Sequence, residues 1–402
     1  MPNPTMRQHA IIIVGAGAVG SALALDLLQQ GRVVVVLEAR QPDYTVRPPE
    51  REIALSAGSV GYLQRLGIWS AIAETGVGEI RHIRVLEPGG AGTVALDSDA
   101  TGQGTSLGAV VEMGQLLQPM HQALQAQGAW LAPVDLRKME RDADGVRLDC
   151  VVDGQAQRLC GQLLVAADGT NSAMRRMAAI STWGWDHNRF GLVASLVADH
   201  HQHSAYECFH REGPLALLPI GDGRFSMVWA VTPQRASRLL SLGDDVFIAE
   251  LEAALDPVVR QQLGAIRATS PRGAFALELR IARSFISTRM ALVGNAAHTM
   301  HPVAGQGMNL GLRDVMALAR VLGENPVAAE DAGDSIVLEQ YADARRLDVA
   351  MTAGFTEGVL ASFAVGGVLP SLTRQAGLRL MQRYGGLRGL LTDYASGRAQ
   401  GV

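Results

Sequence analysis

With 402 residues, 48% of them hydrophobic and only 18% charged, the chain is able to bury a large core spread over two lobes, which excludes disorder as its main state. A formal net charge of −4 and a pI near 6.2 give no electrostatic footprint for a polyanion, so nucleic acid is excluded as the expected partner. The three cysteines, Cys150, Cys160 and Cys208, have neither metal-ligand nor disulfide spacing; no metal site is expected and a reducing compartment is favoured.

In chain order, the first signal is the apolar run Ala10–Val14, rich in β-branched residues, which predicts a parallel strand buried on both faces. The longer run to Ala16 is interrupted by glycine and too short for a signal-peptide core, and no stretch is long enough to span a bilayer. A cytoplasmic protein is expected, with attachment to the inner membrane surface left open. Gly15-Ala16-Gly17-Ala18-Val19-Gly20 follows the strand at once, a helix is predicted over Ser21–Gln30 with Gly31 at its end, and a second strand, Val33–Leu37, ends in Glu38. These are the parts of a dinucleotide site: glycines permit the turn and close backbone approach, the helix N-terminus offers unpaired N–H groups to a pyrophosphate, and Glu38 accepts from a ribose hydroxyl. The unit does not by itself distinguish NAD from FAD.

Arg81–Leu96 reads as a hairpin around Pro88-Gly-Gly90. Leu163–Ala167 is another buried strand, running into Asp168-Gly169, a turn signal, and then a helix with Arg175 near its start. Over 186–272, alternating stretches such as Leu192–Val197 and Arg224–Val231 predict an antiparallel sheet, one face of which, including Phe209, Leu217, Met227 and Trp229, could line an apolar pocket, with ordinary core packing the plainer role for any single one of them. A third strand, Met290–Val293, opens onto Gly294-Asn295-Ala-Ala-His298-Thr-Met-His301-Pro302-Val-Ala-Gly305-Gln306-Gly307-Met308-Asn309, read as a glycine-rich loop before an apolar helix. Such a loop aims backbone donors and a positive helix end at bound negative charge. After Tyr341 the pattern is helical, and beyond Pro370 leucines mix with Arg374, Arg379, Arg383 and Arg388, which suits a membrane-surface helix, a subunit contact in a homo-oligomer, or packing on the chain's own domain.

The three glycine-bearing segments, in this order and spacing, resemble the FAD-dependent aromatic hydroxylases of the para-hydroxybenzoate hydroxylase fold over essentially the whole chain. The run Gly305-Gln306-Gly307-Met308-Asn309-Leu-Gly-Leu-Arg-Asp, with Arg51-Glu-Ile-Ala-Leu-Ser56 and Val110-Val-Glu112, is most similar to the ubiquinone-biosynthetic branch. Gly294-Asn295-Ala-Ala, where most relatives have Asp at 295, resembles the polyprenyl-methoxyphenol hydroxylase subgroup in particular. The resemblance implies a mixed α/β fold: a discontinuous Rossmann-like FAD-binding domain over 1–78, 100–182 and 273–340, an inserted antiparallel-sheet substrate domain over 79–99 and 183–272, and a helical C-terminal segment over 341–402.

It further implies that Gly15, Ala16, Gly17, Ala18 and Gly20 hold the FAD pyrophosphate, Glu38 the adenosine ribose and Arg51 the cofactor near its phosphates. Gln118 would face the flavin, Asp168 and Gly169 would serve both FAD and a pyridine-nucleotide reductant, NAD(P)H, and Gly294 and Asn295 would reach the ribityl or pyrophosphate region. Reduced FAD reacts with O2 to give a C4a-hydroperoxide whose terminal oxygen is electrophilic, so the expected substrate is an electron-rich, prenylated phenol and the product gains a ring hydroxyl. Water must be kept away from that oxygen. Pro302 and the backbone of Gly305, Gln306, Gly307, Met308 and Asn309 are assigned to the flavin face. His301 and His298 are the candidates for deprotonating the phenol, beside the plainer reading that each is a packed structural group. Alternatives are a flavin monooxygenase of another aromatic substrate and a non-catalytic FAD-binding subunit of a biosynthetic complex. A halogenase is disfavoured because Trp183-Gly-Trp185 is not followed by Ile-Pro.

Overall fold

The structure is a computed structural model that describes residues 5–42, 44, 52–87, 93–98, 106–201 and 203–364. Arg51, the hairpin tip at Pro88-Gly-Gly90 and the tail from 365 onward lie outside the described residues.

The buried β-branched run forms the centre of a largely parallel sheet. Its strand Thr5–Val14 lies between Gln155–Ala166 and Val34–Leu37, with Met290–Leu292 beyond the former and Trp130–Leu131 beyond the latter. Ile11, Ile12 and Ile13 have no solvent exposure, as a strand covered on both faces requires. Register sets where the strands stop. Val14 pairs with Ala166 on one side and Leu37 on the other, and Ala166 pairs with Leu292. The four strands therefore end level at their C-terminal edge, and the residues just beyond them, Gly15, Glu38, Ala167 with Asp168, and Val293 with Gly294, emerge along one rim, the place where open α/β sheets bind ligands.

A nine-stranded sheet forms the second lobe, in the order His298–Thr299, Gly273–Ala282, Thr182–Ala198, Arg224–Val231, Gly213–Pro219, Ser204–His210, His82–Leu86, Thr93–Asp97, with Ile266–Thr269 paired to Thr182–Ala198. The expected hairpin over Arg81–Leu96 does join this sheet, through a parallel pairing of His82–Leu86 with Ser204–His210. A three-stranded sheet, Glu52–Ser56, Gly108–Glu112 and Gly78–Ile80, bridges the lobes.

Two features differ from the sequence reading, and a third decides between its alternatives. The region 186–272 is not all sheet: helices Pro233–Ser241, Asp244–Ala254 and Pro257–Leu263 cover one face of it, two of them started by a residue suited to the task, Thr232 and Asp256 accepting from the first-turn N–H groups ahead of a proline. Of the four residues readable as pocket wall or as core, Leu217, Met227 and Trp229 face those helices and pack with Leu239, Phe247, Leu251 and Val259, while Phe209 lines the cavity between the two lobes. Lastly, one helix, Ser335–Ala364, runs across the boundary expected at 341; the hydroxyl of Tyr341 donates to the Leu292 carbonyl at 2.7 Å, which fixes the helix to the parallel sheet.

Candidate active site

Between the rim of the parallel sheet and the second sheet lies a cavity of about 870 Å³, walled by the glycine segments on one side and by apolar strand residues on the other. The first wall is set by steric necessity. A Cβ on Gly20 would lie 2.0 Å from the Gly15 carbonyl oxygen, and Gly15, at φ +103°, packs so closely on Ala167 that its Cβ would lie 2.5 Å from that carbonyl oxygen. By contrast, a Cβ on Gly17, Gly169 or Gly307 would meet no protein atom within 4 Å: these three open onto space rather than onto neighbours. Two helices point their N-termini at the same cavity, Ala18–Gln29 behind Gly17 and Gln306–Glu324 behind Gly305, and neither has a side-chain cap. Their first N–H groups are available to an anion.

The stretch expected as a loop over Gly305–Asn309 is mostly helix. Only Gly305 is outside it, in the left-handed region at φ +62°, and Gln306 to Asn309 form the first turn. Asn309 shows why. Its Oδ1 accepts from Ser56 N at 2.9 Å and Ser59 Oγ at 2.7 Å, while its Nδ2 donates to the carbonyls of Ala54 at 3.0 Å and Gly305 at 2.8 Å. The amide is spent in holding the strand Glu52–Ser56 against the helix start, which leaves the backbone of this turn to face the cavity.

Behind the wall is a buried ionic brace. Asp314 Oδ2 accepts from Gly294 N at 2.8 Å and lies 2.6 Å from His298 Nε2, and its Oδ1 accepts from Arg345 Nε at 2.7 Å. Burial works to raise the Asp314 carboxyl, but His298 and Arg345 outweigh it and hold the group below its ordinary value, hence ionised. His298 is thus tied up behind the loop and is not among the residues lining the cavity. Arg175 makes a second brace, donating to Ala296 O and Thr170 O at 2.7 Å each, so that the second and third glycine segments are stitched together.

His301 does line the cavity, next to Pro302, and is 3% exposed. Its Nδ1 accepts from Val303 N at 3.3 Å, which places the proton of the neutral ring on Nε2. Burial, with His187 at its edge, pushes its pKa down to about 3. A ring so held is a hydrogen-bond donor at neutral pH, not a base. The linkage has a definite sign. An unfolded histidine binds its proton near 6.5, so between pH 6.5 and about 3 the unfolded chain holds more protons; stability from this group is present above 6.5 and is lost as pH falls, by about 1.4 kcal/mol per unit. Thermal melts of the wild type are expected to fall more steeply below pH 6.5 than those of His301→Gln; parallel curves would contradict the assignment.

Of the remaining expected residues, Glu38 stands at the rim with Oε2 accepting from Ala16 N at 2.8 Å. Asp168 accepts from Ala173 N and Met174 N through Oδ2, and its buried Oδ1 has no partner among the described residues. Asn295 is exposed on the cavity wall. Gln118 is exposed on the helix Met113–Ala126 and off that wall, one turn before His121, whose Nε2 is 2.7 Å from the Ala16 carbonyl. An orphaned acceptor, open glycines and two uncapped helix ends fit the phosphates and ribityl chain of FAD.

The chain matches the FAD binding domain family over residues 8–354. It is 34% identical to 3-demethoxyubiquinol 3-hydroxylase of Escherichia coli over 98% of this chain and 100% of that protein, and 33% identical to the ubiquinone hydroxylase UbiL of Rhodospirillum rubrum over 96% and 89%. The chain belongs to the FAD-dependent ubiquinone hydroxylase family. Among solved structures, p-nitrophenol 4-monooxygenase from Pseudomonas putida shares the hydroxylase's fold with a TM-score of 0.78 at 18% identity over 98% of this chain and 99% of that one. HpxO of Klebsiella pneumoniae, complexed with FAD and uric acid, does so with 0.74 at 19% over 97% and 96%. This hydroxylase is therefore an FAD-dependent aromatic monooxygenase acting with O2.

Several residues of the hydroxylase's site carried no signal of the contacts they make. His121 sits in an ordinary amphipathic helix, yet touches both the glycine loop and Tyr44. Asp314 closes the family-like run that starts at Gly305, but nothing local ties it to Arg345, 31 positions on. Glu52, on the cavity wall, accepts from Ser195 Oγ at 2.5 Å and Ser226 Oγ at 2.9 Å. Glu52 stands in the Arg51–Ser56 run that resembles the ubiquinone-biosynthetic branch, which marks the position but not its partners Ser195 and Ser226, themselves opposite one another across two strands.

Proposed function

We propose that this chain hydroxylates the ring of a polyprenylated methoxyphenol in ubiquinone biosynthesis, with NAD(P)H as the reductant. The observation that carries the substrate is the cavity itself: from the glycine rim it continues into a lobe of Ile83, Val85, Val94, Leu96 and Leu218, aliphatic side chains that suit an isoprenoid tail. Bound FAD supplies the activated oxygen. Gly15, Ala16, Gly17, Ala18 and Gly20 hold its pyrophosphate, Glu38 the ribose, Asp168 through its free oxygen the ribityl region, and the first turn from Gly305 to Asn309 the flavin. Pro302 and Met308 close that face against water. His301 donates from Nε2 to an oxygen of the substrate, and His298 acts as a brace through Asp314.

We assign the protein to the cytoplasm with peripheral contact at the inner membrane. No helix among the described residues is long and apolar enough to cross a membrane. Trp183 and Trp185, 41% and 49% exposed on the strand Thr182–Ala198, are side chains suited to the lipid interface. The test is oxygen and NAD(P)H consumption by the FAD-loaded protein with and without a short-tailed prenyl methoxyphenol, with the product analysed by mass. Substrate-dependent gain of one oxygen atom is expected. FAD bound without substrate-stimulated turnover would favour a non-catalytic subunit, and turnover only with tail-free aromatics would favour a different substrate.

A further inference from the structure

The charge on Glu52 has no structural use. It projects from the strand Glu52–Ser56 of the bridging sheet onto the cavity face of the second sheet, where Ser195 and Ser226, facing each other across two strands, each give a hydroxyl to one of its oxygens. A glutamine amide has the same reach and could accept from one serine through its oxygen and donate to the hydroxyl oxygen of the other through its nitrogen. A carboxylate, moreover, is placed at a disadvantage here: Glu52 lies directly opposite Glu112 in the antiparallel pairing, and like charges so placed repel. Glu112 is relieved by Arg224 at 3.0 Å, whereas Glu52 has no cation among the described residues. The other ionisable residues of the wall are engaged. Glu278 is held by Arg280 at 2.6 Å, Glu207 has a partner, and His301 has its acceptor nitrogen taken.

We infer that Glu52 is the catalytic base that receives the hydroxyl proton of the phenol substrate. Each of its oxygens keeps a lone pair beyond the one a serine occupies. With O2, reduced by the bound FAD, as the two-electron oxidant, a hydroxyl would be delivered to the ring carbon as the O–O bond breaks; the electron pair of that bond would stay on the departing oxygen, which would take up protons and leave as water. The ring becomes cationic, and its hydroxyl is then far more acidic than a carboxylic acid. The O–H bond breaks, its proton passes to Glu52, and its electron pair forms the C=O of a dienone. Loss of the ring hydrogen to water restores the aromatic ring, and Glu52 returns its proton to solvent. A carboxylate suits this step because it leaves the phenol protonated until the ring is attacked, and takes the proton only then.

The inference rests on the reading of the substrate as a phenol, and its first test needs no turnover. A nitro-substituted 2-methoxyphenol, whose ionisation is visible by absorbance, is titrated against pH while bound to the oxidised, FAD-loaded protein. A carboxylate beside the hydroxyl disfavours phenolate, so the bound probe should ionise about one pH unit or more lower in Glu52→Gln than in the wild type. An unchanged value overturns the inference. If Glu52→Gln does not retain FAD, Ser226→Ala serves, since it frees an oxygen of Glu52 for the probe and should raise the bound pKa; no change again overturns it. In turnover, Glu52→Gln should form product about a hundredfold more slowly while still oxidising reductant, and a more acidic fluorinated phenol should restore part of the loss. A purely structural latch would not respond to the acidity of the phenol. A wild type that binds no phenol at all overturns both this inference and the substrate reading, whereas phenol hydroxylation with a Glu52-independent probe pKa overturns this one alone.

Discussion

Asp314→Ala is expected to yield a protein that purifies without FAD and is less stable by about 3–5 kcal/mol, the cost of breaking a buried ion pair by removing one partner. The carboxylate is 1% exposed and serves three donors at once, the Gly294 N–H, the His298 ring and the Arg345 guanidinium. Removing it strands all three away from water. Arg345 keeps Asp348, 2.6 Å from its Nη1, so the loss should sit toward the lower end of that range. Among the described residues Gly294 N and His298 have no such second partner: His298 Nδ1 is already buried without one. The segment that these two residues anchor is the one that leads into Asn295 and on to His301 and Pro302 at the cavity wall. The measurement is FAD content by absorbance together with a chemical denaturation midpoint. Asp314→Asn keeps one acceptor and should fall between the variant and the wild type. An Asp314→Ala protein with full FAD occupancy would show that the ionic brace does not position the flavin site.

What the sequence made legible, and what it did not, divides by range along the chain. Strand, glycine and helix within thirty residues are a local pattern, so the three FAD-facing segments could be read one by one, and their order gave the fold. Even there the local reading erred at Gly305: glycines suggest a loop, but Asn309 bonds four groups from two segments 250 residues apart and holds the turn as helix. The helices between 233 and 263 were hidden by the strand alternation on either side of them. The buried brace was illegible because Asp314 and Arg345 look like the surface charges of two amphipathic helices until those helices pack. Alternation, for its part, identifies which residues share a face of a strand and says nothing of which face meets a ligand.

That last ambiguity is resolved by size, and it gives the sharpest contrast in the molecule. On the strand Gly213–Pro219, Ala216 faces the cavity and Leu217, the next residue, faces the helices. The same division runs through the neighbouring strand: Ser226, Val228 and Ala230 face the cavity while Phe225, Met227 and Trp229 pack behind. Register keeps the sets apart, with Ala216 opposite Val228 and Leu217 opposite Met227. Leu217, Met227 and Trp229, readable as pocket wall or more plainly as core, are core because the helix layer behind these two strands must be filled to the density of an interior, whereas the cavity lies over their smaller side chains; Phe209, on the neighbouring strand Ser204–His210, does line it. Ala216→Phe is therefore expected to leave FAD content and melting temperature unchanged and to lower kcat/KM for a prenylated phenol by about tenfold or more, the effect of displacing about 1.4 kcal/mol of fit. Leu217→Ala, one residue along, is expected to do the reverse, destabilising the fold by about 2–5 kcal/mol and leaving KM unchanged in the fraction that remains folded. If Ala216→Phe turned over the prenylated phenol normally, the substrate would have to lie elsewhere than against this sheet. If Leu217→Ala altered KM alone, the faces would be assigned the wrong way round.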